Sequence, residues 1–150
     1  MSEHKQPVSV LVVIYTRNLD VLLLERAAHP GFWQSVTGSR EGTETPTVTA
    51  TREVGEETGL DVRQFVLRDW HKTNRYEIFT EWRHRYAPGV TENTEHVFGL
   101  LLPERLPIAI APAEHRQLTW LNWEEAADKC FSWSNRDAIL ELPARITQAH

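Results

Sequence analysis

A chain of 150 residues lies within the size of one domain able to bury its own core, so a single globular unit over 1–150 is expected. Its 16 basic and 21 acidic residues give a formal charge of -5, which argues against a nucleic-acid backbone or an anionic membrane as the main partner. Cys130 is the sole cysteine, so no internal disulfide forms and a cytoplasmic setting is expected; no apolar run approaches the roughly 18 residues of a membrane span.

In chain order, residues 8–15 form an almost unbroken run of Val, Leu and Ile that predicts a central strand buried on both faces. Arg17 to Asp20 read as a turn and residues 21–24 as a second strand, together a hairpin. A loop containing Pro30 follows, and the short aromatic and β-branched segment 32–37 delivers the chain to Gly38. Thr45 is placed to N-cap a helix, Pro46 suits its first position, and Gly59 ends it. That helix is rich in poor helix formers, Thr47, Thr49, Thr51 and Gly55; Val48, Thr51, Val54 and Gly55 are expected on its inward side, and Arg52 is spaced to pair with Glu56.

Residues 62–70, 76–86 and 95–102 read as further strands, the middle one irregular. Pro103, Pro107 and Pro112 mark an excursion before a short strand at 117–121. A last helix is expected with Ser134 as its cap, Ala138, Ile139 and Leu142 as its apolar stripe, and Pro143 as its end. The order predicts an α/β (α+β) fold, a mixed β-sheet sandwiched between helices.

Chemistry concentrates in residues 38–60. Glu53, Glu56 and Glu57 are three and four apart on the helix, a carboxylate cluster that repels itself unless a cation sits among it. Oxygen donors alone select a hard divalent ion, Mg²⁺ first and Mn²⁺ as a substitute. Three glutamates on one helix are ordinarily a solvated face. Here they sit in a longer pattern: Gly38, five residues, Glu44, seven residues, Arg52-Glu53-Val54, one residue, Glu56-Glu57, one residue, Gly59-Leu60.

On that spacing the chain is identified as a member of the Nudix family, with one departure: Thr43 stands where the family usually carries glycine, and the glycine is Gly42. The resemblance implies hydrolysis of a nucleoside diphosphate linked to another group, with metal on Glu53, Glu56 and Glu57. Arg52 is read as a positioner of those carboxylates and Glu44 as a tie for the loop. Such enzymes recruit a further acid from outside the motif. Glu114, in the proline-bounded loop Ala-Pro-Ala-Glu-His, is the choice, ahead of Glu95 and Glu92.

Segments 32–39, 83–90, 93–95 and 132–136 resemble the bacterial branch of the family that acts on dihydroneopterin triphosphate. This implies release of pyrophosphate to leave the monophosphate, an early step of folate synthesis. A pterin is a flat, guanine-like ring. Tyr76, Glu77, Ile78 and Phe79 offer it an aromatic wall and an acceptor for its amino edge, Lys5 and Arg26 can meet phosphates, and Thr37 and Ser132 can hydrogen-bond the ligand. The histidines, His115 among them, lack metal-ligand spacing and receive no role, and the tryptophans are read as packing. The alternatives are a housecleaning hydrolase of nucleoside triphosphates such as dATP or an oxidised purine, and a non-catalytic binding module. The expected partner is a small pterin or nucleoside triphosphate, with monomer and homodimer both open.

Overall fold

The computed structural model describes residues 4–148. Strand β1 (Val8–Thr16) is the centre of its sheet, with Val10 to Tyr15 no more than 2% exposed, as a run of apolar side chains with no solvent-facing alternation requires. The chain turns at Leu19 into β2 (Asp20–Arg26), but the two strands pair only at Tyr15 and Val21 before they diverge.

The gap between them is filled by two short strands: β3 (Trp33–Gln34) pairs with β2, and β4 (Val36–Ser39) pairs antiparallel with β1. Ser35 marks the switch. Its N–H donates to Asn135 Oδ1 at 2.7 Å, and Asn135 Nδ2 donates back to Ser35 Oγ at 3.0 Å, so a buried amide pins the fork.

On the other edge of β1, β6 (Glu92–Leu102) runs parallel along its full length, and β5 (Val66–Glu77) pairs antiparallel with β6. Strand β7 (His115–Asn122) pairs antiparallel with β2. Helix α1 (Pro46–Thr58) covers one face, where Ala50 and Val54 pack on Val10, Val12, Phe98 and Leu100. The other face carries α2 (Trp123–Lys129), α3 (Trp133–Leu140) and α4 (Leu142–Gln148), with Ala126, Ala127, Ile139 and Leu142 against Leu11, Val13 and Val97. The mixed sheet between helices is the expected architecture.

Several local expectations give way. Of residues 76–86 only Tyr76 and Glu77 are strand: β5 stops at Glu77, and Thr80–Arg85 is 3-10 helical, closed by Trp82 N–H to Phe79 O at 2.9 Å and Tyr86 N–H to Arg83 O at 3.0 Å. Phe79 and Trp82, one such turn apart, pack with ring centroids 5.0 Å apart and their planes tilted by 41° instead of alternating across a sheet. Residues Val62–Gln64 likewise form a 3-10 turn, capped by Asp61. Ser132, not Ser134, caps α3; Ser134 lies buried inside it. Pro143 does not end that helix but sits in the first turn of α4, where its missing N–H costs nothing.

The inward face of α1 also differs from the expectation. Val48, Thr51 and Gly55 are exposed, and the buried residues are Thr49, Ala50, Glu53, Val54, Glu57 and Thr58. The caps hold as expected: Thr45 Oγ1 accepts from Val48 N–H at 3.3 Å, and Gly59 closes the end at φ 77. No helix among the described residues is long and apolar enough to cross a membrane.

Candidate active site

The fork between β1 and β2 opens into a cavity of about 830 Å³ beneath α1, with Thr37, Gly38 and Ser39 of β4 among its lining residues. Helix α1 turns Glu53 and Glu57, one turn apart, toward this strand. Their closeness to the backbone requires Gly38: a Cβ there would fall on Oε2 and Cδ of Glu53 and 2.6 Å from its Cγ.

Arg52 fixes the arrangement from the solvent side. Its Nε and Nη2 donate to the two oxygens of Glu44 at 2.8 and 3.0 Å, its Nη2 also to Ser39 O at 3.0 Å, and its Nη1 to Glu53 at 3.1 Å and Glu56 at 3.2 Å. Glu44 also accepts from Glu41 N–H and the Thr49 hydroxyl, which joins the loop to the helix, and the Arg52 bonds hold its carboxyl down to about 2. Gly42 takes φ 56 in the turn beside it.

Burial pushes the Glu53 carboxyl up and the Glu57 carboxyl well up, the latter helped by Glu53 and Glu114 nearby. Glu57 is 1% exposed, accepts from the backbone N–H of Thr37, and keeps Oε1 with no partner among the described residues. Glu56 stands apart: half its side chain is exposed, it pairs with Arg52, and it does not line the cavity.

The expected outside acid arrives by sheet register. A bulge in the β2–β7 ladder sets Arg26 opposite His115, and Ala27 N–H donates to Glu114 O at 2.9 Å. Ligand atoms of Glu57, Glu114 and His115 therefore lie within 4.8 Å of one another. Glu95 and Glu92 do not join them. Glu95 is buried and accepts from Asn74 at 3.2 Å and from Tyr76 at 3.5 Å.

A basic side faces the acids. Lys5, Arg26 and Arg85 line the cavity, and burial together with the two arginines pulls the Lys5 ammonium down to about 8. Lys5 N–H donates to Arg85 O at 2.8 Å, which ties the 3-10 segment to the start of the chain. Arg26 lies 5.0 Å over the Trp82 ring, bonds Gln34 at 3.3 Å and leaves Nε without a hydrogen-bond partner among the described residues. Thr37 lines the cavity too, although its hydroxyl donates to Val10 O at 2.9 Å.

A second, smaller cavity of about 140 Å³ adjoins through shared walls: Trp82, Tyr86 and Phe131 line both. Tyr76, Glu77, Ile78, Phe79 and Ser132 all line it. Their roles shift in detail. The Glu77 carboxylate is largely exposed, with Oε2 3.4 Å from Arg83. The Tyr76 hydroxyl is committed to Asn93 and Glu95, and Ser132 Oγ accepts from Asn135 N–H as the α3 cap.

His115, Arg85, Trp82 and Phe131 are site residues that the sequence did not single out. Only His115 carried a usable signal, its place directly after Glu114 at the start of a strand. Burial, with help from Arg26, pulls its imidazole down to about 4, so it is neutral near pH 7.

A profile of the NUDIX domain matches residues 5–142. The chain is 50% identical over 139 residues to the dihydroneopterin triphosphate diphosphatase of Escherichia coli (strain K12), with 91% of each chain covered. It is 41% identical over 142 residues to the protein of the same name from Haemophilus influenzae, covering 93% of this chain and 89% of that one. The solved structure of the E. coli dihydroneopterin triphosphate pyrophosphohydrolase superposes with a TM-score of 0.86 at 50% identity, covering 92% of this chain and 95% of that one.

Proposed function

The chain belongs to the Nudix family, and on that footing we propose that this hydrolase converts dihydroneopterin triphosphate to the monophosphate and pyrophosphate, in the cytoplasm. One observation carries the reading within the structure. A charged cavity and a small aromatic cavity share the wall of Trp82, Tyr86 and Phe131, so a flat ring and its phosphate chain can be held at once.

Nudix hydrolases typically use a divalent metal, and the residues present fit one. Glu57 Oε1 is a buried carboxylate oxygen without a hydrogen-bond partner among the described residues, and Glu53 and Glu114 bring further oxygen donors beside it. We assign Mg²⁺, with Mn²⁺ as a substitute, to Glu53, Glu57 and Glu114. When bound, the ion neutralises phosphate charge and lowers the pKa of a ligand water.

The chain's own residues do the rest. Lys5, Arg26 and Arg85 bind the phosphates and offset their charge in a recess where water screens poorly. Arg52 holds Glu53 in one orientation through the 3.1 Å bond and through its own anchors on Glu44 and Ser39. A carboxylate of the cluster left free accepts the proton of the attacking water. Phe79, Trp82 and Phe131, with centroids 5.0 to 6.5 Å apart, exclude water from the ring side.

Steady-state rates with Mg²⁺ over dihydroneopterin triphosphate, dATP and an oxidised guanine triphosphate test the assignment. The pterin triphosphate should show the highest kcat/KM. A clear preference for a nucleotide would overturn the substrate, and no turnover of any of them would favour a binding module.

A further inference from the structure

His115 is 3% exposed, yet Nδ1 has no hydrogen-bond partner among the described residues, and Nε2 stands 3.8 Å from Glu57 Oε1, beyond hydrogen-bond reach. The oxygen it faces is itself the orphaned one. Burying two polar groups side by side without a bond costs free energy that a direct contact would have avoided. The two are nevertheless held apart by different elements. Glu57 belongs to α1, while His115 is fixed at the start of β7 by its pairing opposite Arg26 and by its backbone N–H to Ala111 O at 2.9 Å.

Donors on one octahedral ion with bonds of about 2.1 Å stand about 3 to 4 Å apart. The separation of Glu57 and His115 falls in that range, and Glu114 lies within 4.8 Å of both. An imidazole in the set alters the site's preference, because nitrogen donors add affinity for transition ions and little for Mg²⁺.

We propose that His115 is a nitrogen ligand of the ion held by Glu57 and Glu114, which strengthens the hold of this otherwise all-oxygen site on Mn²⁺ while adding little for Mg²⁺. The inference rests on the metal reading of those two carboxylates and adds a donor that the acidic motif does not contain.

The test is pulsed EPR on the full chain with Mn²⁺ and no substrate. Electron spin echo modulation should carry a ¹⁴N coupling, and protein labelled with ¹⁵N at histidine should change it. His115→Gln should abolish the coupling, weaken Mn²⁺ binding about 10-fold and leave Mg²⁺ binding within about 2-fold. His4→Gln, at the other histidine lining the cavity, should keep the coupling and so decides the matter if His115→Gln does not fold.

Bound Mn²⁺ without a histidine coupling overturns the inference while leaving the carboxylate site standing, as does a coupling that survives His115→Gln. Glu57→Gln separates the two readings. If Mn²⁺ does not bind the wild-type chain, or binds Glu57→Gln equally well, the metal reading falls and the ligand with it.

Discussion

Gly38→Ala tests the link between fold and chemistry without removing a functional group. The new Cβ would lie 2.6 Å from Glu53 Cγ and closer still to its carboxylate, whereas an ordinary contact is at least 3.4 Å. The strand cannot yield easily, since residues 36–39 are paired to β1. Glu53 must therefore retreat by at least about 0.8 Å at Cγ and further at Oε2, breaking its 3.1 Å bond to Arg52. Misplacement of a site group by about 1 Å can cost on the order of 10²-fold in rate. The expected result is a fall in kcat of about that size with Mg²⁺ saturating. The thermal midpoint should move by only a few degrees, because the group displaced is the end of a flexible side chain. Turnover within about 3-fold of wild type in a folded Gly38→Ala protein would refute the claim that Glu53 acts from its seat on this glycine.

Glu57→Gln should lower kcat by at least about 10²-fold and Glu56→Gln by less than about 10-fold, since only the first carboxylate lines the cavity; equal losses in steady-state assays would contradict this division. Glu44 has its carboxyl depressed to about 2, so the stability it confers is full above about 4.5 and is lost as pH falls toward 2. Glu44→Gln should therefore be less stable than wild type at pH 7 and converge with it near pH 2, and parallel melting curves across that range would count against the Arg52 bond as the cause. Gly55→Ala should raise stability by about 0.5–1 kcal/mol, because the exposed site leaves the new Cβ no neighbour nearer than Leu60 O at 3.9 Å; a lowered melting midpoint would show otherwise. Phe79→Ala should raise KM more than it lowers kcat if Phe79 only grips the ring, and the reverse pattern would place it nearer the chemistry.

What was legible in the sequence is what depends on short spacing. The pairing of Arg52 with Glu56, the caps at Thr45 and Gly59, and the common face of Glu53 and Glu57 all follow from helical geometry. The reading of the inward face held at Val54 and failed at Val48, Thr51 and Gly55, because counting Val48 as a core residue rotated the face. Glu53 and Glu57 share their side with Ala50 and Val54, so burying the core necessarily carried the carboxylates inward with it. The aromatic segment misled for another reason. Residues such as Phe79 and Trp82 favour strands by composition, and only packing against Phe131 and Arg26 selects the 3-10 turn. His115 and Arg85 reach the site through pairing across the sheet and through the bridge to Lys5, both set by contacts more than 75 residues apart in sequence.

The weakness of α1 as an isolated helix is offset within the protein itself. Ala50 and Val54 are packed into the core, and Arg52 ties the helix to β4 and to Glu44. That single guanidinium also sorts the charges. Glu41, Glu44, Glu53 and Glu56 all lie within 3.7 Å of it, so one residue orients four of the acids around 41–56. Glu57 is the glutamate of the helix that Arg52 does not meet, and it is also the one with an orphaned oxygen, beside Glu114. Where α1 and the start of β7 converge, Glu57 and Glu114 form no ion pair with an arginine among the described residues, and a divalent ion placed there would neutralise both carboxylates at closer range than Arg26 does.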